Sequence, residues 1–182
     1  MTHRILFSGH MIDGPDRTLT PRFPASNEQR VKADITAQLK EELVQREQLH
    51  GIASGACGGD ILFLEVCLEL GIPATLYLPM TPAVFKQKSV SFAGQQWDQR
   101  FDRLLSMLPV VMLDKQAAEQ RKTNVFQQLN VRMLHDALTN GSEHMTLMLV
   151  WNEVRNVGSA GPARVIEEAA QYDVYTRIIR PS

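Results

Sequence analysis

Gly51-Ile-Ala-Ser-Gly-Ala-Cys-Gly-Gly-Asp-Ile-Leu-Phe-Leu-Glu-Val-Cys-Leu-Glu-Leu-Gly-Ile-Pro-Ala-Thr-Leu-Tyr-Leu-Pro-Met80 reads as a strand, a glycine loop, an apolar helix that stops at Gly71 and a second strand ending at Pro79. That is one complete βαβ unit. Gly55, Gly58 and Gly59 let the backbone take conformations closed to other residues and let a ligand approach closely. The helix that follows turns its free N–H groups and positive dipole end toward the loop, so an anion is favoured there.

Upstream, Arg4 to Ser8 is a short apolar run meeting Gly9, followed by a polar, proline-bearing stretch from His10 to Ala25. It reads as a central strand and an ordered functional loop. Ser26 and Gln29 have capping-box spacing, and Val31, Ile35, Leu39 and Leu43 keep one face apolar to about Gln48, which predicts a long helix. Downstream, Thr81 to Ala93 reads as a loop carrying Lys86, Lys88 and Ser89. Trp97, Phe101, Leu104, Leu105 and Leu108 then fall at helical spacing before Pro109 and a strand over Val110 to Leu113.

Another helix is predicted from about Thr123 to Asn140-Gly141, a strand from Met145 to Trp151, and a second glycine-bearing loop from Asn152 to Gly161. Pro162 suits the first position of a last helix, and Val174 to Ile179 closes the chain as a strand. The alternation predicts one α/β domain over residues 1–182, with a mostly parallel open sheet of about six strands and helices on both faces. The loops after Ser8, Ser54 and Trp151 all leave strand carboxyl ends, and their convergence there is the main functional signal.

Composition narrows the partners. With 19 basic and 20 acidic residues the net charge is −1, and no basic tract stands out. Broad attraction to nucleic acid or to an anionic membrane is therefore not expected, and a small ligand fits better. The first residues hold too short an apolar run for a signal peptide, and no later run approaches a membrane span. Cys57 and Cys67 read as small buried residues of a reducing cytoplasm. The five scattered histidines predict no metal site.

Ser-Gly-Ala-Cys-Gly-Gly-Asp after a strand, a helix with Glu65, then Gly71 and a strand ending in Leu-Pro, resembles the SLOG superfamily. That superfamily unites the DNA-processing protein of natural transformation, the LONELY GUY phosphoribohydrolases and many nucleotide-sensing domains. The likeness spans nearly the whole chain. It is nearest to SLOG-like domains carrying Gly-His-Met-Ile-Asp, Arg-Phe-Pro, Gly-Gly-Asp and Trp-x-x-Arg-Phe, here Gly9 to Asp13, Arg22 to Pro24, Gly58 to Asp60 and Trp97 to Phe101.

The resemblance implies a Rossmann-like fold and a nucleotide or nucleotide derivative held across two glycine loops, with no other cofactor. Phosphates would lie at Gly58 to Asp60 and at Ser159 to Gly161, and base and ribose beside the loop after Ser8. The enzymatic branch carries Pro-Gly-Gly-x-Gly-Thr-x-x-Glu, whereas this chain has Gly158-Ser-Ala-Gly-Pro-Ala-Arg-Val165, with Val165 where the glutamate would stand. Glu167 and Glu168 are nearby but on another face of the helix. Binding as a sensor or regulatory module is thus preferred, N-glycosidic hydrolysis of nucleoside monophosphates is the alternative, and single-stranded DNA binding ranks last. Homo-oligomerisation is left open.

Individual residues carry two readings each. Gly58 and Gly59 serve a phosphate or only tight packing. Asp60 caps the helix or bonds the ligand, and Glu65, on a very apolar helix, needs a partner or borders the site; these two are the catalytic candidates. His10 and Asp13 follow a strand end, and Arg17 and Arg22 of the same loop either close over an anion or stay solvated. Arg100 reaches a phosphate or sits in an ion pair. Asn124 caps its helix or touches ligand, and Asn152, Ser159 and Gly161 belong to the second loop.

Overall fold

Strand periodicity decides which side chains are inside. In the computed structural model, which describes residues 1–15, 17, 19–113, 124–154 and 161–182, the first strand, β1, runs His3–Gly9. Ile5 and Phe7 point to one face and Leu6 to the other, and all three are buried. Both faces of the sheet are therefore covered, as a parallel sheet requires. The other strands are β2 (Leu49–Ala53), β3 (Ala74–Leu78), β4 (Val110–Met112), β5 (Met145–Val150) and β6 (Tyr175–Ile179).

They form one six-stranded sheet in the order β4-β3-β2-β1-β5-β6. Every neighbouring pair is parallel, so the sheet is wholly rather than mostly parallel. Helices α1 (Glu28–Gln45), α2 (Gly59–Glu69), α3 (Pro82–Ser89) and α4 (Gln95–Met107) contribute to the core on the Ile5 and Phe7 face. On the Leu6 face lie α5 (Val125–Ala137) and α6 (Pro162–Ala169). Trp97 and Phe101 are buried, as their spacing indicates.

Two local readings are corrected and a third is settled. The Ser26 and Gln29 capping box does not form: Ala25–Asn27 is a 3-10 turn, α1 starts at Glu28, and the Asn27 side chain instead donates to the Pro181 carbonyl at 2.8 Å. Thr81 to Ala93 is not a loop but α3 followed by a 3-10 turn over Ser91–Ala93. Pro82 at its first turn was the available signal. The helix after β4 is capped at Asn124, whose Oδ1 accepts the Phe126 N–H at 2.9 Å, so Asn124 takes its capping role.

Candidate functional site

β1 and β5 are neighbours, yet the chain leaves β1 toward α1 on one face and β5 toward α6 on the other. This is the topological switch point of the sheet, where a crevice opens at the strand carboxyl ends. A cleft of about 380 Å³ lies there, within the range of small-molecule sites. Its rim comes from the ends of β1 and β2, the first turns of α2, α5 and α6, and the end of α3.

The loop after β1 is built by backbone pairing. His10 N–H donates to Val150 O at 2.9 Å, and the His10 carbonyl accepts Gly59 N–H at 3.1 Å. Ile12 N–H donates to Cys57 O at 3.1 Å. A Cβ on Gly58, whose φ is +101°, would run into the Ile12 nitrogen, and one on Gly59 would lie 2.9 Å from Gly9 Cα. The glycine pair therefore lets two loop backbones touch. The Gly59 N–H that the phosphate reading needs already has the His10 carbonyl as its acceptor. A Cβ on Gly55 would likewise strike Leu76 and Phe101, at 2.8 and 2.9 Å.

Asp60 completes this junction. Its Oδ1 accepts the Gly9 N–H at 3.0 Å. Burial pushes its pKa up to about 7 against the lowering effect of the backbone N–H groups of Gly9 and Ala56. Asp60 lines the cleft and is its sole carboxylate among the described residues.

Asp13 works one layer back. Its Oδ2 accepts the N–H groups of Arg22 and Phe23, each at 2.9 Å, while Asp13 N–H donates to Phe23 O at 2.8 Å. Phe23 is fully buried, so the returning loop is fixed and Arg22 is delivered to the cleft wall. The Arg22 Nε is buried without an acceptor, and the guanidinium has no ion-pair partner among the described residues. Burial, then the charge of Arg17, lowers its pKa from the usual arginine value.

Lys88, at the end of α3, is a second cation on the rim without an acidic partner among the described residues. Cys57 N–H donates to Ser89 O at 2.9 Å, which holds that end of α3 against the loop after β2. Ser54 and Ser89 line the same side, and Phe126, Leu129 and Met133 of α5 give the opposite wall its apolar character.

His10 is buried and lines the cleft. Its Nε2 lies 2.9 Å from Asn152 Oδ1, which also accepts Val154 N–H at 3.3 Å. An oxygen accepting a backbone N–H needs a donor from the ring as well, so Nε2 carries the proton and Nδ1 is left as an acceptor. Burial lowers the His10 pKa, partly offset by the Asn152 bond.

Of the residues singled out in the sequence, Gly9, His10, Arg22, Asp60, Asn124 and Gly161 line the cleft, and Asn152 buttresses His10. Arg17 is exposed, its Nε 3.7 Å from Asp13. Arg100 and Glu65 lie outside the cleft lining and meet each other: Arg100 Nε and Nη2 donate to the two Glu65 oxygens, each at 2.7 Å, and Nη1 donates to Glu28 at 2.7 Å. Glu167 is exposed and paired with Arg164 at 3.4 Å. Ser159 lies outside the described residues.

Sequence reasoning left Lys88, Ser54, Ser89 and Asn130 out of the site, although the Lys86, Lys88 and Ser89 cluster was visible as a group of polar residues. No group of metal-ligating side chains occurs among the described residues. Cys57 and Cys67 are buried free thiols, and burial pushes the Cys57 thiol up to about 12, so neither is poised as a nucleophile. No described helix is long and apolar enough to cross a membrane. No protein-family model, curated protein or solved structure matches the chain.

Proposed function

We propose that the protein binds a phosphorylated small molecule, a nucleotide or nucleotide derivative, in the switch-point cleft and acts as a sensor or regulatory module. One observation carries this reading: the half-buried guanidinium of Arg22, without an ion-pair partner among the described residues, lines the same cleft as an apolar wall from α5. Arginine without a carboxylate, in a partly desolvated setting, favours an oxyanion with two acceptors in its plane. Lys88, Ser54 and Ser89 supply further donors around that position.

The apolar side suits a planar ring and ribose, with the Nδ1 acceptor of His10 and the carboxyl of Asp60 at the β1 end. The phosphate subsite in this reading is Arg22 and Lys88 rather than the Gly58-Gly59 turn. The SLOG likeness of the sequence agrees with the ligand class. Two buried free thiols support a reducing, cytoplasmic setting.

Calorimetry with adenosine and guanosine mono- and diphosphates tests the reading. Saturable binding is expected, weakened about tenfold or more in Arg22→Ala, because a hydrogen bond to a charged group contributes about 1.5–3 kcal/mol. The Arg22 backbone, not its side chain, holds the loop, so this variant should fold. Absence of saturable binding across the panel by folded protein removes the reading.

A second reading, N-glycosidic hydrolysis, keeps one carboxylate. Asp60, with a pKa raised to about 7 by burial, is divided between acid and base near neutrality and could protonate a leaving base. Glu65 is committed to Arg100 and does not line the cleft. Incubation with adenosine monophosphate, followed by chromatography for free adenine, separates binder from enzyme.

A further inference from the structure

Arg22 is not the only arginine without an ion-pair partner among the described residues. Arg4 is the second residue of β1 and sits beside His50 of β2 in the parallel register. Both side chains lie on the Leu6 face, toward α5, near the amino ends of their strands and so at the opposite end of the sheet from Arg22. With Tyr77 of β3 and Asp136 near the end of α5, they line a separate cleft.

The polar groups of this second cleft are satisfied except for one. Tyr77 OH donates to Asp136 Oδ2 at 2.9 Å, and Arg132 Nε donates to the same oxygen at 2.8 Å. The hydroxyls of Thr2 and Thr139 donate to Gln48 and to the Asp136 carbonyl, at 3.1 and 2.8 Å. His50 Nε2 is 2.9 Å from the Thr75 hydroxyl. Arg4 forms no ion pair among the described residues, and its Nη1 is buried with no acceptor. The acid at hand, Asp136, bonds Arg132 and Tyr77 instead.

A buried guanidinium nitrogen without an acceptor is costly, and Arg4 lines a cleft that gives an oxyanion room beside its guanidinium. We propose that Arg4, with His50 beside it, forms a second anion site that takes a small oxyanion, a carboxylate or a phosphate group, independently of the first cleft. Arg132 offsets the Asp136 charge, so the anion meets Arg4 without an uncompensated carboxylate opposite. Apart from Ile52 its lining side chains all carry polar groups, with no apolar wall like that of α5 at the first cleft, so it suits the charged group rather than a nucleobase.

His50 provides the readout. Burial and the positive charge of Arg4 both lower its pKa. An anion seated on Arg4 reverses the second cause, so the His50 pKa should rise by about one unit. NMR titration of the imidazole signals from pH 5 to 8, with and without about 20 mM inorganic phosphate or acetate, measures it directly. Phosphate and acetate distinguish the two oxyanion classes, and His10 reports separately on the first cleft.

The expected result is an upward shift at His50 in the unaltered protein that is lost in Arg4→Met and kept in Arg22→Ala. Arg4→Lys, which retains the charge but loses the planar fork, should keep a reduced shift. No change at His50 with either anion overturns the proposal, whatever His10 does. So does a full shift persisting in folded Arg4→Met.

Discussion

Asp60 Oδ1 accepts the Gly9 N–H at 3.0 Å, and this bond joins the first turn of α2 to the end of β1 at the floor of the cleft. Burial has raised the Asp60 pKa from 3.8 to about 7. Between those values the folded protein holds a proton that the unfolded chain has released. Stability from this group is therefore complete below pH 4 and is lost as pH rises toward 7, by up to about 4 kcal/mol. Asp60→Asn keeps an acceptor for Gly9 but cannot titrate. Urea unfolding from pH 4 to 8 should show a smaller decline in the variant; an unchanged slope would mean that Asp60 ionises normally.

The glycine pair is expected to fail by unfolding rather than by loss of affinity alone. Gly58→Ala combines a φ of +101° with backbone overlap at Ile12, while Gly94 has a φ of +105° and nothing within 4 Å of its absent Cβ. Gly94→Ala therefore isolates the conformational penalty, about 1–3 kcal/mol. Gly58→Ala should exceed it clearly in thermal melts, and Gly59→Val, which drives a branched side chain against Gly9, should also lower the melting temperature. Equal losses at positions 58 and 94 would refute the packing role.

This difference marks how far the sequence could be read. The short apolar run of β1, the apolar α2 and the stop at Gly71 were legible because they depend on local composition and turn chemistry. So was the gathering of loops at the strand carboxyl ends, which follows from parallel pairing. What Gly58 and Gly59 serve was not legible, because the atom that excludes a Cβ belongs to a loop about 45 residues away. Arg100 and Glu65 were singled out separately as site candidates, yet they are each other's partners across α4 and α2. α3 escaped notice because only Phe85 and Ser89 of its residues are buried, too few to show a helical period.

Arg100 should matter for stability and not for the cleft. It stacks over Trp97 at 4.1 Å while bonding both Glu65 oxygens and Glu28. Arg100→Met retains much of the stacking volume and removes the charge, leaving two carboxylates side by side with Lys32, 3.8 Å from Glu65, as the remaining cation. A loss of about 2 kcal/mol is expected. Nucleotide affinity by calorimetry should remain within error of the unaltered protein, and a large drop would place Arg100 in the site after all.

His3 sets the acid limb of stability. It is buried, its Nε2 is 2.9 Å from the Thr146 hydroxyl, and burial, then Arg46 and His144, lowers its pKa to about 4. Because the folded value lies below the unfolded 6.5, this contribution is present above pH 6.5 and is lost as pH falls to 4, by about 3 kcal/mol. His3→Gln can still bond Thr146 and does not titrate. Its unfolding free energy should fall less steeply between pH 6.5 and 4, and an identical profile would show that His3 charges without penalty.

Glu42 is fully buried in α1 and accepts Arg177 Nε from β6 at 2.8 Å, with Arg46 at 3.6 Å and His3 at 4.0 Å. It anchors the last strand to the first helix through charge in a place where apolar contact would serve as well. Removing one partner leaves the other desolvated, so Glu42→Ala should cost about 3–5 kcal/mol, moderated by the second bond from Arg177 to Glu41. Replacing both, as Glu42→Leu with Arg177→Met, removes this pair of charges together and should recover part of that loss, with Arg46 left without its carboxylate. A double-mutant cycle in urea checks this. If the paired replacement is no more stable than Glu42→Ala, the cluster holds β6 by geometry that apolar side chains cannot reproduce.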